Sequence, residues 1–308
     1  MPDDIKNLEN HGRETYAVYY GDKFVLKRPL PTFTLEKRNA WLAKQHKTKK
    51  IIDEIRAKNN PSYNIPAMEY IHDTEYQILE ERAPGVPLTW ELYGTLSKRQ
   101  QFEIINSIAS FLVDMNELKP IGDIQRNNIK NELKFSRLDN FIENKMHMWF
   151  TREEIYQMAN IRDKISVFEY ETRNAWSHAD ISSRNVMYDT KSSRLSFIDF
   201  AEADYKFIYR DIFAPLQIEL NIYKNVYEAY YKMHNQSLYN MPGVKSDTLR
   251  EIMKYRIMVV WLRRFIKASD DLRITPANKK SADNNLEKLS FMRKQMQYIR
   301  ELEQQFSR

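Results

Sequence analysis

The chain has 308 residues, a size that suits one large domain or two lobes of roughly 100–200 residues each. Apolar residues at 42% and aromatic residues at 13% exclude a disordered chain, while 29% charged residues and a mean hydropathy of -0.68 give it a strongly polar surface. With no cysteine it has no disulfide, thiolate metal site or cysteine nucleophile, and its formal charge of +6, gathered on C-terminal helical segments, reads as solvated surface and not as a nucleic-acid face.

The N-terminal "MPDDIKNLEN" has no apolar run and no stretch of the chain reaches 18 apolar residues, so neither a signal peptide nor a membrane span is expected and the cytoplasm is the expected location. Residues 15–29, "TYAVYYGDKFVLKRP", predict a β-hairpin turning at "GD" and ended by Pro29. A helical region follows over 34–61, with Leu35, Leu42, Ile51, Ile52 and Ile55 as its apolar positions. Residues 66–80 predict a second strand pair with "HDT" at its turn, and "RAPGVPL" reads as a loop because Pro84, Gly85 and Pro87 break regular structure.

From the N-cap candidate Ser97 the chain turns helical, with Phe102, Ile105, Ile108, Ala109, Leu112 and Met115 as the apolar face up to Pro120. Thr151 and Glu154 stand in capping-box spacing within the polar stretch 121–175, where Met146, Met148 and Trp149 read as core. Three amphipathic helical segments are expected near 214–234, 246–270 and 281–305, and the tyrosines of the first read as core packing. The six histidines have no i, i+4 pairing, so no zinc site is expected.

Chemistry concentrates in "HADISSRNVMYDTKSSRLSFIDF". Asp180 and Asn185 fall on a loop feeding two short strands, and Asp199 falls at the tip of the second. Such a layout converges oxygen ligands on one point, as phosphoryl transfer requires: a carboxylate orients a hydroxyl nucleophile and oxygen donors hold Mg²⁺ against nucleotide phosphates. The whole pattern arises by chance in about one chain in a thousand. Upstream, Lys27 ends the strand-like "KFVLK", where an ammonium can neutralise phosphates, and the following helix offers Glu36 as its partner.

These residues together resemble the aminoglycoside phosphotransferase and choline kinase family, which has a protein-kinase-like fold. The hairpin "YAVYYGDKFVLKRP", the hinge-like "YQILEERAPGVPL" and the 178–200 segment carry the resemblance, with Asp211 of "YRDIF" matching a further aspartate of that pattern. The resemblance implies that Asp180 orients the acceptor hydroxyl and that Asn185 and Asp199 ligate Mg²⁺. Lys27, partnered by Glu36, would contact the phosphates, and backbone near Glu81 would bind adenine. His178 and Asp211 would be structural supports. There is no GxGxxG, so the phosphate-covering turn would rest on Gly12 of "NHGRETY" alone.

The expected architecture is α+β and bilobal: a β-rich nucleotide-binding lobe over 1–82, a hinge over 83–96, and a mostly helical lobe over 97–308 carrying the catalytic loop and substrate-binding helices. The expected activity is ATP- or GTP-dependent, Mg²⁺-dependent transfer of the γ-phosphate to a hydroxyl of a sugar, amino alcohol or aminoglycoside. The alternatives are an atypical protein-kinase-like regulator, against which the chain lacks an activation segment ending in Ala-Pro-Glu, and a silent nucleotide-binding pseudokinase, which would keep the fold and lose turnover. Glu202 and Asp204 would attract a cationic acceptor, whereas the cationic C-terminal third favours an anionic one. Oligomeric state leaves no sequence signature.

Overall fold

The computed structural model describes residues 9–10, 16–21, 23–72, 75–119, 151–166, 174–207 and 210–234. The predicted hairpin is β2 (Tyr16–Tyr20) against β3 (Phe24–Pro29), in antiparallel register with Val18 opposite Lys27. Short β1 (Glu9–Asn10) pairs with β2 on one side, and β6 (Gln77–Glu81) pairs with β3 on the other. The second predicted pair is β5 (Met68–His72) with β6, which completes a five-stranded sheet in the order β1-β2-β3-β6-β5.

Helix α1 (Leu35–Ala57) starts where Thr34 leaves helical geometry and its hydroxyl accepts from the Lys37 amide. Its buried stripe is Trp41, Gln45, Thr48, Ile51, Ile52 and Ile55. Leu35, expected on the apolar face, is 67% exposed; six residues before Trp41, it lies about 120° round the helix from that stripe. The same displacement corrects Phe102 in α3 (Lys98–Asn116). Phe102 is 64% exposed, six residues from Ile108 in a helix that buries Ile104, Ile108, Phe111, Leu112 and Met115. Ser97 closes the start of α3 as a full capping box with Gln100.

The segment read as a pure loop contains β7 (Val86–Pro87) and is followed by α2 (Trp90–Thr95). β7 pairs with β9 (Val186–Asp189), which pairs with β10 (Arg194–Phe197), which in turn runs parallel to β4 (Tyr63–Asn64). This four-stranded sheet is fixed to α3 by aromatic packing. Phe111 stacks on Phe197 at 3.8 Å between ring centroids, and Tyr63 meets both rings edge-on. A third sheet joins β8 (Asn174–Ser177) to β11 (Asp204–Phe207).

The expected segment at 214–234 is two helices and not one, α5 (Pro215–Glu219) and α6 (Tyr223–His234), interrupted where Asn221 adopts φ 55°. In α6, Tyr223 and Tyr230 are fully buried, as core packing requires. Asn116 ties α3 to both neighbours, donating to the Trp176 carbonyl at 2.8 Å and accepting from the Tyr230 hydroxyl at 2.6 Å.

The chain divides into two compact units, residues 1–126 with 173–240 and residues 127–172 with 241–308. In the second unit the described element is helix α4 (Arg152–Ser166), which opens on the predicted capping box between Thr151 and Glu154. Met146, Met148, Trp149 and the segments expected at 246–270 and 281–305 lie outside the described residues.

Candidate active site

The segment between β8 and β9 is shaped by one carboxylate. Asp211 accepts from the His178 amide at 2.6 Å and from the Ala179 amide at 3.2 Å, which folds the chain back at Ala179 with φ 67°. His178 is completely buried beside Phe200, ring centroids 4.5 Å apart. Its Nε2 lies 3.0 Å from the Ile198 carbonyl and its Nδ1 is 3.4 Å from the Asp180 amide. A carbonyl can only accept, so Nε2 carries the proton and Nδ1 takes the amide. Both nitrogens are committed to backbone, which fits a ring that holds the loop and not one that shuttles protons.

That fold-back brings Asp180 against Asn185. The Asn185 amide donates to the Asp180 carbonyl at 2.9 Å and to Asp180 Oδ2 at 2.8 Å. Only 4% exposed, Asn185 therefore has its NH₂ group occupied, while its Oδ1 accepts from no described residue. Burial pushes the Asp180 carboxyl above its ordinary range, and the charge of Asp199 adds to this against the opposing His178 ring and Asn185 bond. Asp199 stands two residues past β10 with φ 63° and ψ 61°, a left-handed geometry that costs a non-glycine residue about 1–3 kcal/mol and concentrates at functional sites. It begins a 3-10 turn, Phe200–Glu202.

The oxygens of Asn185 and Asp199 can serve a hard divalent cation. Among the described residues no group of three or more histidine, aspartate or glutamate side chains forms a closed metal cage. A small cation served by two protein oxygens leaves its other positions to water and phosphate, the arrangement of nucleotide-linked sites.

Lys27 lies in β3 with its Nζ 2.6 Å from Glu80 Oε2. The expectation for Glu36 is corrected: it sits exposed in the first turn of α1, and the carboxylate on Lys27 comes from β6. Neighbouring Glu81 turns its side chain the other way, accepting from the Ala67 amide at 2.7 Å and from Arg56 at 3.2 Å, while its own amide donates to the Ala67 carbonyl. Gly85 keeps the following segment close to β9: at φ +93° a Cβ would fall 2.2 Å from the Tyr188 carbonyl oxygen. Gly12 lies outside the described residues.

Glu202 and Asp204, expected to face a cationic ligand, are engaged within the protein. Lys44 pairs with Glu202 at 2.6 Å, and Lys47 and Lys206 flank Asp204 at 3.1 and 2.7 Å. Burial acts to raise the Asp204 carboxyl, but the bonds from Lys206 and Lys47 outweigh it and hold it below the usual range. Sequence reading missed both Glu80 and these lysines, because ion pairs between distant segments carry no local signal, and β6, Gln-Ile-Leu-Glu-Glu, has no alternation that would show which way Glu80 points.

Residues 6–229 match the family model described as the phosphotransferase enzyme family, APH. No curated protein sequence matches the chain. Among solved structures, the GDP and kanamycin complex of APH(2")-IIIa superposes with a TM-score of 0.64 at 15% identity, over 94% of each chain. The streptomycin-ATP-APH(2")-IIa ternary complex gives 0.54 at 16% identity, over 93% of this chain and 92% of that one. A choline/ethanolamine kinase family protein from Mesorhizobium loti gives 0.56 at 11% identity, over 94% and 88%. At these identities the likeness is one of fold, a protein-kinase-like arrangement of strand-rich N-terminal and helical C-terminal parts.

Proposed function

The chain belongs to the phosphotransferase enzyme family, and on that premise we propose that it transfers the γ-phosphate of ATP, with GTP as the alternative donor, to a hydroxyl of a small molecule of sugar, amino-alcohol or aminoglycoside type. The observation that supports the reading is the Asn185 amide held 2.8 Å from the Asp180 carboxylate, on a segment whose Asn185 carbonyl accepts from the amide of Ile198, the residue before Asp199, at 3.0 Å.

In this reading the acceptor hydroxyl lies against Asp180, its oxygen bonds to the γ-phosphorus, the bond to the bridging oxygen breaks, and the hydroxyl proton passes to the Asp180 carboxylate. A carboxyl whose proton affinity is raised by burial is better suited to that last transfer than an ordinary aspartate. Asn185 and Asp199 would hold Mg²⁺, which when bound neutralises charge on the phosphates. Lys27 contacts those phosphates from β3, and backbone beside Glu81 meets the nucleobase. His178 and Asp211 keep the loop in register through their bonds to its backbone. The lobes are proposed as 1–82 and 97–308 about a hinge at 83–96.

The named complexes hold kanamycin or streptomycin, which supports a hydroxylated small-molecule acceptor here. With Glu202 and Asp204 engaged by lysines, their charge gives no preference for a cationic one. No helix among the described residues is long and apolar enough to cross a membrane, and the use of ATP favours the cytoplasm. Screening hydroxylated compounds with γ-labelled ATP and GTP tests the proposal. Label transfer by the wild type and its loss in Asp180→Asn are expected; equal transfer by both proteins overturns it.

A further inference from the structure

We infer that Glu80, on the strand leading into the hinge, is the positioning residue that holds Lys27 for the nucleotide phosphates, in place of a carboxylate from α1. The inference rests on the reading of Lys27 given above. In the β3–β6 ladder Val25 lies opposite Glu80 and Lys27 opposite Ile78. Directly opposed residues share a face, so Lys27 and Glu80 are diagonal neighbours at a separation long side chains span. They meet at 2.6 Å with side chains only 12% and 14% exposed. An ion pair this far from solvent is not interchangeable with a surface pair, because removing one member strands the other charge.

The helix offers no substitute. Where α1 faces Lys27, Glu80 and Asp199 it presents Trp41, Gln45 and Thr48, and its acidic residues Glu36, Asp53 and Glu54 are all exposed. A lysine ammonium on a flexible four-carbon stem has no fixed direction of its own. Glu80 gives it one, and it does so from the residue next to Glu81, so the phosphate contact is tied to the strand that meets the nucleobase and not to α1.

The test measures binding of ADP and of GDP, each with Mg²⁺, to the full chain by calorimetry, with thermal unfolding followed in parallel. Glu80→Gln is expected to weaken binding roughly 10- to 100-fold, as loss of a charged hydrogen bond implies. Lys27→Ala is expected to weaken it at least as much, with the double variant no weaker than Lys27→Ala, since Glu80 acts through the lysine. Unchanged affinity in Glu80→Gln, or losses that simply add in the double variant, overturns the inference. Should Glu80→Gln not fold, Glu80→Asp decides: its carboxylate is one methylene short, severalfold weaker binding is expected, and wild-type affinity overturns the inference. If Lys27→Ala binds both nucleotides like the wild type, the phosphate role of Lys27 falls and the inference with it. If Lys27→Ala binds weakly and Glu80→Gln normally, only the inference falls.

Discussion

In the proposed reaction the chemistry asked of Asp180 and the stability of the fold pull apart. A carboxyl raised by burial lends stability below its unfolded pKa and loses it as the pH climbs through the raised folded value, so the ionised form of Asp180 is a burden on the fold. Asp180→Asn removes the charge and keeps an oxygen for the Asn185 amide. We expect transfer to fall by about 10²–10⁴-fold, nucleotide affinity to stay close to that of the wild type, and the unfolding temperature at neutral pH to hold or rise. A clear drop in that temperature would show that Asp180 serves the fold as well as the reaction. Asn185 illustrates the same economy: its NH₂ group secures Asp180, and in the proposed site its oxygen would be left to serve the cation.

Among the elements, the turn into β7 and the contact of α1 with the 200–206 segment are the most exposed to substitution. Gly85→Ala puts a side chain into positive φ and against the Tyr188 backbone, neither of which can yield cheaply; a loss of roughly 2 kcal/mol or more by denaturant titration is expected. For Asp204 the sign is the reverse of Asp180. Its lowered pKa means stability that is present above the unfolded value and lost as pH falls through the folded one. Asp204→Asn should cost no more than about 1 kcal/mol at neutral pH, since the carboxylate is 41% exposed, and the gap to the wild type should close on acidification. A gap that does not change with pH would assign the effect to packing. What was legible in the sequence at this scale was local: the caps at Ser97 and Thr151, the hairpin over 15–29, and the loop at 178–185 whose residues lie close along the chain. What was not legible depended on which face meets which neighbour. Leu35 and Phe102 are apolar and helical yet turn outward, and Glu80 outcompeted Glu36 because strand register, invisible in one sequence, brought it to Lys27.

At the scale of the molecule, Lys27 on the N-terminal sheet and the loop carrying Asp180 belong to one compact unit, residues 1–126 with 173–240. A nucleotide touching both must then stabilise that unit against unfolding as a whole. Linkage sets the size: ligand at a hundredfold excess over its dissociation constant adds about 2.7 kcal/mol, or roughly 5–10 °C for a unit of this length. If Asn185 and Asp199 hold Mg²⁺, the increment from ADP should exceed that from ADP with a chelator, and Asp199→Asn should erase the difference. Asparagine is the substitution of choice because it tolerates the left-handed backbone at φ 63°, so the baseline stability stays close to the wild type and the increment is read cleanly. A Mg²⁺-dependent increment that survives in Asp199→Asn would place the cation on other oxygens and separate the metal assignment from the role of Asp180.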